Sequence, residues 1–138
     1  MGRFSVDIEI TNHEDVMLLR RGLIEAADVR RVTIPGVVDT GAVRLVLPLA
    51  TVRELGLPET GEVKVRYADA RRATRKVVGD ADVAFGGRTG TFSAIVEPRR
   101  TEALIGAIVL EELDFVVDCV AQKLVPRDPN TVISELGW

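Results

Sequence analysis

Apolar and polar residues alternate with a period of two along most of this chain, and that pattern limits what it can fold into. At the amino end Phe4, Val6, Ile8 and Ile10 fall on one face and Ser5, Asp7, Glu9 and Thr11 on the other. Successive side chains of a strand point to opposite sides, so such a run buries one face and wets the other. Arg31 to Val38 repeats the theme with Val32, Ile34, Val37 and Val38, while Pro35-Gly36 inside it predicts a bulge or bend. Val43 to Leu47 is a short apolar strand. Val63, Val65 and Tyr67 alternate with Glu62, Lys64 and Arg66; after the polar stretch Asp69 to Lys76 come Ala81, Val83 and Phe85, and the two strands read as a hairpin. Gly86-Gly87-Arg88-Thr89-Gly90 is a tight turn into a strand with Phe92, Ala94 and Val96, which Pro98 ends. Phe115-Val116-Val117 and Lys123-Leu124-Val125-Pro126 form the arms of a last hairpin, and the tail from Arg127 to Trp138 reads as a docking segment.

Helical signals are few. Leu49 to Leu55 follows Pro48 and precedes Gly56, the proline-first, glycine-last signature of a short helix. Ala107 to Leu113 suits another. Asn12 to Arg31 is ambiguous: Val16-Met17-Leu18-Leu19 fits a strand or a helical turn, and the strand is the reading adopted. Many short strands at close spacing predict an all-β fold, a small closed barrel with one or two short helices. Residues 1–138, with no linker or repeat, are expected to form one free-standing domain.

Composition excludes several classes of function. A net charge of -3 gives no overall attraction to nucleic acid or anionic lipid. Apolar runs such as Leu45 to Ala50 fall far short of the ~20 residues of a membrane-spanning helix. The amino end has neither the apolar run of a signal peptide nor a Ser or Thr at position 6 for myristoylation, so a cytoplasmic location is expected. The single Cys119 cannot form an intrachain disulfide and reads as a buried thiol within a strand. With one histidine, His13, and one cysteine, neither a metal site nor a cofactor is expected. A Ser-His-Asp site is poorly supported, because no nucleophile motif surrounds any serine.

Chemistry concentrates at Asp39-Thr40-Gly41-Ala42, which lies between the apolar segments Gly36-Val37-Val38 and Val43 to Leu47. Glycine lets the backbone turn sharply beside the carboxylate, and the threonine hydroxyl can bond across an interface or to nearby backbone. The bare triplet would equally serve an ordinary turn. A second apolar-apolar-glycine element, Leu104-Ile105-Gly106, late in the chain and leading into a short helix, favours the catalytic reading.

Together these elements resemble the retropepsin-like aspartic proteases, the single-domain group that includes the retroviral enzymes and related cellular and bacterial domains. The order of that family is an apolar strand ending in Asp-Thr-Gly-Ala or Asp-Ser-Gly-Ala, a flap hairpin, then apolar-apolar-Gly and a short helix. It is followed here from Val37 to about Asp118. The resemblance implies that Asp39 is the catalytic carboxylate of an aspartic endopeptidase acting on polypeptides. Thr40 would brace it by bonding to the opposite protomer, Gly41 and Ala42 would support the loop, and Leu104, Ile105 and Gly106 would be structural. Peptide hydrolysis in this family uses two aspartates sharing one proton, and no second Asp-Thr-Gly or Asp-Ser-Gly occurs in the chain, so a homodimer is implied. The flap would be the hairpin around Tyr67, Ala68, Asp69 and Ala70, where related bacterial domains often carry glycine near position 70. Lys64, Arg66, Arg71, Arg72, Arg75 and Lys76 crowd this hairpin, for an acidic peptide partner or, more economically, as solvated charges guarding a sheet edge. The alternative is a catalytically silent dimeric module that grips peptides by strand addition. A structural or toxin-associated subunit comes third.

Overall fold

The computed structural model describes residues 3–137. The alternating segments become β1 (Phe4–Asn12), β2 (Arg31–Val38), β3 (Leu45–Pro48), β4 (Glu59–Arg66), β5 (Arg72–Phe85), β6 (Arg88–Glu97), β7 (Ala103–Ile105), β8 (Phe115–Asp118) and β9 (Lys123–Pro126). Three short helices intervene: α1 (His13–Arg20), α2 (Leu49–Leu55) and α3 (Ala107–Leu113). The main sheet runs β1-β2-β7-β3-β6-β5-β4. Pairing of Glu9 to Asn12 with Ala81 to Ala84 then joins β1 back to β5, closing six strands into a barrel and leaving β4 outside as the free arm of the β4–β5 hairpin. Closure removes the open edges that a flat sheet would expose. No helix among the described residues is long and apolar enough to cross a membrane.

The inward face is the one the alternation predicts. Ile8, Ile10, Leu45, Leu47, Val83 and Ile105 are almost wholly buried, and Val109 and Leu113 of α3 close one side of the same core. Glycines at 86 and 87, both at positive φ, join β5 to β6 by the tight turn that this twist requires.

Four expectations are corrected. The stretch read as a strand after Asn12 is helix α1. Asn12, fully buried at the end of β1, accepts from the Asp15 backbone N–H through Oδ1 at 3.1 Å and caps the helix, while Glu14 and Asp15 sit in its first turn and Arg20 in its last. The barrel accordingly carries three short helices rather than one or two. Pro35-Gly36 makes no bulge: β2 pairs with β1 in unbroken register from Arg31 to Val38. The missing N–H of Pro35 takes nothing from the second ladder, because β7 joins β2 only at Gly36. Cys119 is exposed, just past β8 in the connection to β9, rather than buried within a strand.

Helix α1 is fastened to the barrel by polar contacts more than by its apolar face. The Asp15 carboxylate, 6% exposed, accepts from the Arg30 backbone N–H at 2.9 Å and from Nε and Nη2 of the Arg30 guanidinium at 2.8 and 3.0 Å. The Asn12 amide donates to the Leu55 carbonyl at 2.7 Å, and His13 pairs with Asp82 at 3.0 Å. Asp15→Ala is expected to cost about 2 kcal/mol, since it removes charge-assisted bonds and strands a backbone donor, although the half-exposed Arg30 can turn to water. A lower urea midpoint at unchanged slope would record that loss.

Hydrogen bonds from Arg30 hold the Asp15 carboxyl below its usual range, with burial acting in opposition. A carboxyl whose pKa is depressed by folding contributes stability that is complete above its unfolded value, about 4, and is lost as pH falls through the folded value. The barrel should therefore weaken below about pH 4, and Asp15→Ala should flatten that part of the curve.

Candidate active site

Asp39 follows β2 directly, and its backbone N–H donates to the Ile105 carbonyl at 3.1 Å. β2 and β7 run parallel here, with Val37 beside Leu104 and Val38 beside Ile105, so two motifs far apart in the chain lie side by side. The Asp39 loop turns back through a bond from the Ala42 N–H to the Asp39 carbonyl. It is then pinned from below: the N–H groups of Ala107 and Ile108 donate to the carbonyls of Ala42 and Val43, each at 2.9 Å. Gly106 lies so close that a Cβ there would come 2.5 Å from the Arg44 carbonyl oxygen and the Val43 carbonyl carbon.

The Asp39 carboxylate is 19% exposed. Oδ1 accepts from the Gly41 N–H at 2.9 Å, which orients the group, and Oδ2 lies 3.3 Å from the guanidinium of Arg3. Thr40 is exposed at the tip of the loop. Asp39, Gly41, Ala42, Val46 and Leu104 line one part of an open cleft of about 750 Å³, and Val65, Arg66, Tyr67 and Ala68 of the β4–β5 hairpin line another. Asp69 and Ala70 form the tip of that hairpin beyond the cleft lining.

Tyr67 fastens the hairpin. Its hydroxyl donates to Glu97 Oε2 at 2.6 Å, Arg75 Nε donates to Glu97 Oε1 at 2.8 Å, and the Arg71 guanidinium lies 4.7 Å from the Tyr67 ring centroid. Burial, reinforced by the Glu97 carboxylate, pushes the phenol up from its ordinary value, so it stays a neutral donor at neutral pH. The tip turns through bonds between Tyr67 and Arg71 and from the Ala70 N–H to the Tyr67 carbonyl, which puts Ala70 at φ +68. A residue with a Cβ pays about 1 kcal/mol in this left-handed region, whereas glycine does not. Glycine also has more unfolded-state freedom to lose. Ala70→Gly should therefore shift stability by less than about 0.5 kcal/mol, instead of the 0.5 to 1 kcal/mol loss usual within a strand, as read by thermal melting.

The sequence reading missed Arg3, Glu97, Arg99 and Arg100, all of which line the cleft. Glu97-Pro98-Arg99-Arg100 was visible as a charged run after a strand, but only the pairing of β3 with β6 carries it to the site.

A closed barrel with an oriented carboxylate at a strand end, facing a cleft under a hairpin, is the architecture of an acid-protease domain. The sequence profile described as aspartyl protease matches residues 26–109. The chain belongs to the aspartyl protease family, and its fold is a closed β barrel. No curated protein matches it. Among solved structures it is similar to a retropepsin-like aspartic protease from Rickettsia conorii, at 19% identity and a TM-score of 0.46, covering 86% of this chain and 89% of that one. It is also similar to the foamy viral protease-reverse transcriptase in complex with an RNA/DNA hybrid, at 18% identity and a TM-score of 0.48, covering 70% of this chain. There it spans only 11% of the viral chain.

Proposed function

We propose that this single-domain chain is an aspartic-type endopeptidase that hydrolyses peptide bonds as a homodimer, each protomer supplying its Asp39. The observation that carries the reading is the Asp39 carboxylate itself, oriented by the Gly41 N–H and facing a cleft roofed by the β4–β5 flap. Two carboxylates brought to ~3 Å cannot both ionise, so they share a proton. The ionised one takes a proton from a water, whose oxygen attacks the scissile carbonyl while the protonated one donates to the carbonyl oxygen. The tetrahedral intermediate then collapses, the C–N bond breaking as the amine nitrogen takes the proton held by the first carboxyl and the second recovers its own. Flap closure over an extended peptide keeps bulk water from the reacting bond.

Support for a two-fold partner lies beside the loop. Val43 and Ile108, joined by the backbone bond between them, are 66% and 47% exposed, an apolar border around Asp39 that a second copy would cover. Thr40, exposed at the tip, faces outward where that copy would sit. A polypeptide is the substrate on this reading, and a cytoplasmic location belongs to it.

One observation favours a second reading, the catalytically silent dimeric peptide-binding module. Arg3 pairs with Oδ2 of Asp39, the position a catalytic water or a second carboxylate needs. The test is cleavage of a diverse peptide mixture from about pH 4 to about pH 7.5, followed by mass spectrometry, with wild type beside Asp39→Asn at concentrations that give a dimer by sedimentation. Cuts that vanish in the variant support the protease; peptide binding without cuts in either sample supports the silent module.

A further inference from the structure

We infer that the cleft selects peptides carrying Asp or Glu side chains, with Arg66, Arg99 and Arg100 as its specificity-determining residues; where it concerns cleavage, this rests on the protease reading above. The chain is acidic overall, yet its cleft is lined by six arginines and only two carboxylates, Asp39 and Glu97. Three of the arginines are already committed: Arg3 to Asp39, Arg71 to Asp69 at 2.7 Å, and Arg75 to Glu97. Arg66, Arg99 and Arg100 make no ion pair with any described residue, and Arg100 donates only Nε, to the Glu102 backbone carbonyl at 3.0 Å.

The hairpin charges divide in the folded chain. Lys64, Arg72 and Lys76 stand outside the cleft lining, where Lys76 pairs with Glu59 at 3.2 Å, and these suit the role of solvated edge charges. Arg66 lines the cleft from the flap, while Arg99 and Arg100 line it from the β6–β7 turn. Guanidinium groups gathered around a concave, partly apolar surface focus a positive field there. A carboxylate is the group they bind best, through paired N–H donors. The floor residues Val46, Ile95 and Leu104 take apolar side chains of the same peptide. Acidic side chains flanking an apolar centre are thus the complementary ligand.

The test uses the full chain carrying Asp39→Asn and three fluorescent peptides with one apolar centre flanked by Glu, Gln or Lys, read by anisotropy at about 50 and about 200 mM NaCl. The Glu peptide is expected to bind at least about ten-fold tighter than the Gln peptide at the lower salt, with the preference shrinking at the higher. Adding R66Q, R99Q and R100Q should reduce that preference to about three-fold or less, with folding checked by circular dichroism. Should the triple change unfold the chain, the double reversal R99E/R100E should shift the preference toward the Lys peptide. Equal affinity for the Glu and Gln peptides, or a preference that survives these changes, would overturn the inference. Wild-type turnover is scored separately. Cleavage without acidic preference would sink this inference and leave the protease reading standing; acidic preference in a chain that cuts nothing would do the reverse.

Discussion

Replacing Asp39 by Asn is expected to lower peptide cleavage by at least about 10³-fold while leaving the thermal midpoint within a few degrees of wild type. Asn is the same size and can still accept from the Gly41 N–H through its carbonyl oxygen, so the loop geometry survives. It cannot take a proton from water or share one with a partner carboxylate. General acid–base catalysis contributes about 10² to 10⁴-fold, and in the homodimer proposed above one substitution removes both carboxylates. The Arg3 contact is also lost, but Arg3 is largely exposed and such a pair contributes at most about 1 kcal/mol. Initial rates on the best peptide from the mixture, measured beside a melting curve, decide the point. Cuts at the same bonds and at comparable rates in the variant would remove Asp39 from the chemistry.

Gly106→Ala is expected to destabilise the barrel by about 3 kcal/mol and to lower activity by about 10²-fold or more. Its backbone angles, φ -89 and ψ -179, suit any residue, so the cost is one of space. The added carbon would meet backbone of Val43 and Arg44, which no rotamer change can move away. That backbone is held by the Ala107 and Ile108 N–H groups on one side and leads into β3 on the other. Relief must come from shifting the loop that carries Asp39, and a displacement near 1 Å can cost about 10²-fold in rate. Gly36→Ala is the matched control. Its Cβ would meet the far end of the Ile105 side chain, at 2.7 Å from Cδ1, which can rotate, so a smaller loss is expected. Urea midpoints for the two variants give the comparison, and equal losses would contradict the backbone argument.

Much of the barrel was legible because its signals are local. Ile8 and Ile10 point inward for the reason that Asp7 and Glu9 do not, and the glycine pair at 86 and 87 states its own turn. The proline and glycine around α2 bracket it as the sequence predicts, with Gly56 at φ +63 closing it. Helix α1 was not legible in this way. Its evidence was the Asn12 cap and the acidic first turn, weak beside an apolar run of strand-like residues, and what holds it in place is Asp15 reaching Arg30. A contact across 15 residues leaves no periodic trace. Cys119 was misplaced for a similar reason: it follows an apolar strand, yet the chain has already turned toward β9.

By itself the sequence determined the alternation that makes strands, the glycine and proline punctuation that ends them, and an Asp-Thr-Gly-Ala loop set between two apolar segments. These are properties of neighbouring residues, and neighbours are what a linear pattern records. Only the tertiary structure decided that Leu104 to Gly106 lie against the Asp39 loop, that Glu97 anchors the β4–β5 hairpin through Tyr67, and that Arg66 shares a cleft with Arg99 and Arg100. Each depends on strands that the closed barrel makes adjacent, such as β2 with β7 and β3 with β6, across tens of residues of chain. Closure sets those neighbours through the register of whole strands, so the charge and geometry of the cleft are properties of the barrel rather than of any one segment.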